Sequence, residues 1–132
     1  MKDYLIDQGY NALSDNFYNT MKDWLEWYKG KNENFHTYSQ FNGKRKIKRE
    51  RYSLGMAKKL CEDWANILLN EKVKINISDE RISGLIMKIL DKNNFHVRSN
   101  RLLEQTFALG TGAFVEYLDR GNIKIDYIRG DM

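Results

Sequence analysis

The segment from Leu54 to Leu69 constrains this chain more than any other. Placed at 100° per residue, Leu54, Met56, Ala57, Leu60, Cys61, Trp64, Ala65, Ile67, Leu68 and Leu69 spread over roughly 220° of a helical wheel. A helix packed against one core needs an apolar stripe of only about 100°. The polar remainder, Lys59, Glu62, Asp63, Asn66 and Asn70, forms a narrow strip. A helix running from about Ser53, its N-cap candidate, to Asn70 is therefore predicted to be covered on two sides. One side is its own domain; the other is further chain or a neighbouring subunit. Met56, Leu60, Trp64 and Ile67 are the candidate assembly face.

The 132 residues are expected to form a single domain, 1–132, large enough to bury roughly two-thirds of the unfolded surface. Aromatic residues make up 13% of the chain, which argues against disorder. The single cysteine, Cys61, excludes an internal disulfide framework and fits a reducing, cytoplasmic setting. The first residues contain no apolar run like that of a signal peptide. No stretch approaches the roughly 20 apolar residues of a membrane span, so no membrane partner is expected.

Other elements follow from their punctuation. Ser14 as N-cap, Asp15 in the first turn and Gly30 past the end predict a helix between them. Phe17, Met21, Trp24, Leu25 and Tyr28 form its core-facing stripe. Val73, Ile75 and Ile77 alternate with polar residues and predict a short half-buried strand at 73–77. A third helix is expected from Ser78 or Asp79 to about Lys92, with Ile82, Leu85, Ile86, Ile89 and Leu90 on one face. "NNFHVRSN" reads as a linker, and Arg101 to Leu109 as a fourth helix stopped by Gly110. Residues 113–128 read as a hairpin around "DRGN", with Gly121 available for positive φ. The fold class is α+β: mostly helical, with a short strand and a C-terminal β-hairpin.

Residues 31–52 show no sustained period and read as a basic, irregular arm. They hold seven basic and two acidic residues, a net +5. The whole chain is +4, so the remainder is −1 and the basicity belongs to the arm alone. Lys44, Arg45, Lys46, Lys48, Arg49 and Arg51 are candidates for contact with nucleic acid or with an acidic partner; the plainer reading of the same run is a solvated loop. Phe41 and Tyr52 flank them as stacking candidates.

No catalytic constellation is present, so the chain is not expected to be an enzyme, and no cofactor or metal is expected. His36 and His96 lie far apart, with no ligand partner at metal spacing. Cys61 sits on the apolar helix face, where a small core residue is expected rather than a nucleophile. "GTG" at 110–112 follows a helix and precedes a strand, the reverse of a phosphate-cradling loop. Adjacent Glu62 and Asp63 diverge by about 100° on a helix and read as a solvated strip.

Three blocks of the sequence resemble a known family. "SLGMAKKLCEDWANILLNEKVKI" is similar to the signature segment of tailed-bacteriophage portal proteins, in the group common among phages of Gram-positive hosts. The positions that carry it are Met56, Ala57, Lys58, Cys61, Glu62, Asp63, Ala65, Leu68, Asn70, Glu71 and Lys72. Upstream, "WLEWYKGKNENFHTY" resembles the family's opening stretch, with Phe35, His36 and Tyr38. Downstream, "LLEQTFALGTGAFVEYLDRGNIKIDYI" resembles the segment where a helix ends and opens a hairpin.

The resemblance implies a structural component of a ring, typically twelve-fold, at one capsid vertex, through which DNA is packaged and ejected. It implies other portal subunits as partners, together with terminase, capsid and head-to-tail connector proteins. It implies a virion location, with host cytoplasm during assembly. Portal proteins of this group are much longer, so the chain would correspond to an N-terminal portion of the wing domain, a truncated piece or a prophage remnant. The alternative reading is a small basic nucleic-acid-binding protein that uses the 44–51 arm.

Overall fold

A computed structural model describes residues 2–9, 13–70 and 72–131. Within them the chain forms helices α1 (Lys2–Asp7), α2 (Asp15–Lys29) and α3 (Glu33–His36), then strands β1 (Thr37–Phe41) and β2 (Lys46–Glu50). Helices α4 (Met56–Leu68), α5 (Glu80–Lys92) and α6 (Phe95–Leu109) follow, and strands β3 (Gly112–Asp119) and β4 (Asn122–Arg129) close the order. The two sheets are separate antiparallel hairpins, β1–β2 and β3–β4. The fold is α+β, mostly helical, with the C-terminal hairpin that the sequence predicts.

Local chemistry explains the ends of α2. The Ser14 hydroxyl accepts the Phe17 amide at 3.4 Å. At the other end Gly30 adopts φ 66°. Its amide donates to Trp27 O at 3.0 Å and the Lys31 amide donates to Glu26 O at 2.9 Å, the paired bonds of a Schellman stop. Only glycine suits this position. A Cβ there would also lie 2.5 Å from the Ser53 hydroxyl.

The core centres on α6, which packs against α4, α2, α5 and the β3–β4 hairpin. Met21, Ala65, Leu102, Leu109 and Ile125 are its buried apolar residues. Tyr28 of α2 donates to the Glu104 carboxylate of α6. Asn100 of α6 donates to Asn66 Oδ1 of α4 at 3.1 Å. Phe95 stacks on Phe114 at 6.2 Å between ring centroids, and Phe114 meets Tyr127 edge-on at 5.4 Å. The β3–β4 turn places both Arg120 (φ 47°) and Gly121 (φ 80°) in the left-handed region, the pattern of a two-residue hairpin turn.

Four expectations are corrected. First, residues 31–52 are not irregular: they form α3 and the β1–β2 hairpin. Asn32 caps α3 by accepting the Phe35 amide at 3.2 Å, and Asn42 Oδ1 accepts the amides of Lys44 and Arg45 through the turn. The hairpin was illegible because neither of its faces is buried, only Thr37 and Ile47 being even half-buried, which removes the period-2 signal.

Second, residues 73–77 do not form a strand. Val73, Ile75 and Ile77 are half-buried and their neighbours exposed, so the predicted alternation is real. Among the described residues, however, no strand pairs with this segment. Third, α6 begins at Phe95 rather than Arg101. Ser99 is fully buried in the middle of its core face and interrupts the apolar period between Phe95 and Leu102. Fourth, α4 starts after Gly55, not Ser53, whose hydroxyl instead accepts the Gly55 amide at 3.2 Å.

Candidate functional site

The candidate assembly residues lie on α4, and the fold leaves them uncovered. Met56 is 67% exposed, Leu60 60%, Trp64 49% and Ile67 68%. Ala65 is the one residue of α4 that is fully sealed, on the side toward α6. Trp64 reaches Phe107 of α6, with ring centroids 6.2 Å apart. Beside this stripe an apolar groove of about 380 Å³ runs between α2, α4 and α6, walled by Trp24, Trp27, Leu60 and Phe107. The solvated strip carries two ion pairs at helical spacing, Lys58–Glu62 at 3.5 Å and Lys59–Asp63 at 2.8 Å.

These are large apolar side chains left in water along one stripe of the helix. Covering one such side chain fully contributes roughly 1.5–3 kcal/mol. The second cover expected from the wide apolar arc is therefore not supplied by the described residues.

The basic residues stand on the β1–β2 hairpin, whose register pairs Tyr38 with Arg49, Ser39 with Lys48 and Phe41 with Lys46. Directly paired side chains share a face. Lys46 and Lys48 therefore lie on one face with Phe41, and Arg49 lies on the other with Tyr38. Lys44 sits in the turn. Arg51 differs from the rest. Its guanidinium donates to Phe35 O at 3.0 Å and lies over the rings of Phe35 and Tyr38, about 5 Å from each centroid. Arg51 thus ties the hairpin to α3. Lys44, Arg45, Lys46, Lys48 and Arg49 are exposed and make no ion pair with an acid among the described residues.

The titratable candidates are structural in their surroundings. Cys61 is half-buried in the groove wall. Burial, and then the nearby Glu104 carboxylate, push its thiol pKa up, so it is a poorer thiolate than a free cysteine. His36 Nδ1 faces Arg51 O at 3.1 Å, and the ring packs near Trp27 and Phe35. His96 lies beside Phe95. Among the described residues no group of three His, Cys, Asp or Glu side chains could hold a metal ion.

A cluster that sequence reasoning missed lies between α6 and β4. Arg98, Arg101 and Arg129 line a cavity of about 270 Å³ with Gln105 and Tyr127. Arg98 stacks 4.5 Å from the Tyr127 ring centroid, and Arg129 pairs with Asp131. The spacing of Arg98 and Arg101 was a faint signal; the approach of Arg129 was not visible in one dimension.

The protein-family model described as phage portal protein, SPP1 Gp6-like, matches residues 8–131. The chain belongs to this portal family. Comparison with curated proteins and with solved structures finds no match. Membership makes the protein a structural component of a phage portal and implies association with other portal subunits. The α4 stripe is an exposed apolar surface of this portal-family chain. Among the described residues no helix is long and apolar enough to cross a membrane.

Proposed function

We propose that this portal chain forms part of the wing of a ring at one capsid vertex, through which phage DNA is packaged and ejected. The observation that carries this reading is the uncovered stripe of Met56, Leu60, Trp64 and Ile67 in a chain matched almost throughout by the portal family. Such a stripe fits a neighbouring subunit or further portal chain. The role is structural and not enzymatic; terminase, capsid and connector proteins are the partners it would meet. It acts in the virion, after assembly in the host cytoplasm.

Electron microscopy of phage heads made by cells carrying an affinity-tagged version of this gene tests the reading. Label at a single vertex is expected. Heads without label, or with label on every vertex, would sink it.

A second reading concerns DNA and rests on a separate observation. Five exposed cations without acid partners stand on a two-stranded ribbon, a shape that the major groove admits. It predicts duplex binding that weakens with salt, with a log–log slope of about 0.9 per neutralised phosphate. Replacing Lys44, Arg45, Lys46, Lys48 and Arg49 with neutral residues removes that binding. Undetectable duplex binding by the unmodified chain at low salt would end this reading.

A further inference from the structure

The two hairpins leave strand edges open, and two of those edges carry opposite charge. In the β3–β4 ladder, Asp119 pairs with Asn122 across the turn. Alternation along an antiparallel pair then points the amides and carbonyls of Phe114, Glu116 and Leu118 away from β4. Three of the equivalent outward groups of β4 are occupied. Asn93 Nδ2 donates to Ile123 O at 3.0 Å, Asn93 Oδ1 accepts the Ile125 amide at 3.1 Å, and Arg98 reaches Ile125 O at 3.5 Å. The outward groups of β3 meet no donor or acceptor among the described residues, and all eight of its residues are exposed. Its only ionised side chains are Glu116 and Asp119, a charge of −2.

The β1–β2 hairpin also leaves an edge open, and there the charge has the opposite sign. The Arg51 amide donates to His36 O at 2.7 Å, and the Asn42 amide to Arg45 O at 3.1 Å. These bonds set the alternation, so Lys46, Lys48 and Glu50 turn their backbone groups outward from β1. Strand β2 carries Lys46, Lys48, Arg49 and Glu50, a charge of +2. Each sheet has only two strands, and an isolated two-stranded hairpin is marginal in water. An open edge is a template for a further strand.

We propose that β2 of one copy adds to the open edge of β3 in a second copy, antiparallel, with Lys48 opposite Glu116. This register also sets Arg45 opposite Asp119 and Ile47 opposite Tyr117. Sliding by two residues in one direction places Glu50 against Glu116; sliding in the other moves Arg45 away from Asp119. Opposite charges across a strand pair stabilise it, and like charges destabilise it. The same rule disfavours β3 against β3 and β2 against β2. The contact is therefore heterologous: each copy offers β2 to one neighbour and β3 to the other, the geometry that closes a ring when the rotation allows. The choice of a second copy as partner rests on the portal-subunit reading.

Sedimentation velocity of the full chain over a range of concentrations tests the pairing. The variants are Glu116→Lys, Lys48→Glu and the double swap. Both positions are exposed, and circular dichroism checks that each variant keeps its fold. The average mass of the unmodified chain is expected to rise with concentration. Each single variant should need a severalfold higher concentration to associate, and the double swap should restore the original behaviour. Hydrogen exchange should show the amides of Phe114, Glu116 and Leu118 protected in the associated form. Association that ignores both single variants, unprotected β3 amides, or a chain that stays monomeric throughout would overturn the proposal. Single-vertex labelling of heads with unaffected single variants would remove strand pairing alone; unlabelled heads would remove the portal reading itself.

Discussion

Asn93 clasps the backbone of Ile125: its carboxamide oxygen accepts the Ile125 amide at 3.1 Å, while its nitrogen donates to Ile123 O at 3.0 Å and Ile89 O at 2.8 Å. One buried side chain at the α5–α6 junction thus engages Ile123 and Ile125 on the outer edge of β4. Leaving a buried polar group unpaired costs about 1–3 kcal/mol. Asn93→Ala should therefore destabilise the chain by roughly 2–4 kcal/mol. A urea-unfolding midpoint that stays unchanged would show that the clasp contributes nothing.

Gly30 and Ser53 form a second tight contact. Gly30→Ala places a methyl at positive φ and within 2.5 Å of the Ser53 hydroxyl. The conformational penalty alone is roughly 1–2 kcal/mol. Removing the hydroxyl with Ser53→Gly in the same chain should relieve the clash and leave that penalty. A thermal melt of the single and double variants separates the two contributions. Equal losses in both would mean that the clash is absorbed elsewhere.

Tyr28 gives the protein an alkaline sensitivity. Burial first, and then its hydrogen bond to Glu104, raise the phenol pKa well above its ordinary value. The folded state therefore holds the phenolic proton more tightly than the unfolded chain. That contribution is fully present below the unfolded pKa of about 10 and is lost as pH rises through the folded value. Tyr28→Phe should flatten the decline of the urea midpoint above about pH 10. Identical pH profiles for the two proteins would contradict this.

The two sides of α4 should respond differently to substitution. Ile67 faces water, so Ile67→Gln should change stability by no more than about 0.5 kcal/mol. Ala65 is sealed against α6, so Ala65→Leu should cost roughly 1–3 kcal/mol through overpacking. Calorimetry on both variants orders them. A larger effect at Ile67 would mean that the covered face has been misplaced.

Helices α2 and α5 and the last hairpin were legible because their signals are local. Ser14, Gly30, Asp79 and Gly121 act within a few residues of themselves, through caps and positive φ. The apolar arc of α4 also declared itself in one dimension, since helical spacing alone displays it. The 73–77 segment shows where this ends. Its alternation is real, but a strand needs a neighbour's hydrogen bonds, and no local pattern supplies one. The β1–β2 hairpin went unread for the opposite reason. Its ladder exists without a buried face to imprint a period.

By itself the sequence determined α2, α5 and most of α4, the turn at Gly121, the confinement of net positive charge to one segment and the excess of apolar surface on α4. Only the tertiary structure decided that this surface stays uncovered, that Arg51 is withdrawn from the basic set by Phe35 and Tyr38, and that Asn93 engages the edge of β4 while β3 stays open. The physical reason is range. Caps, turns and periodicity act over three or four residues, whereas coverage and edge closure depend on groups dozens of residues apart. Those meet only when the chain packs around α6.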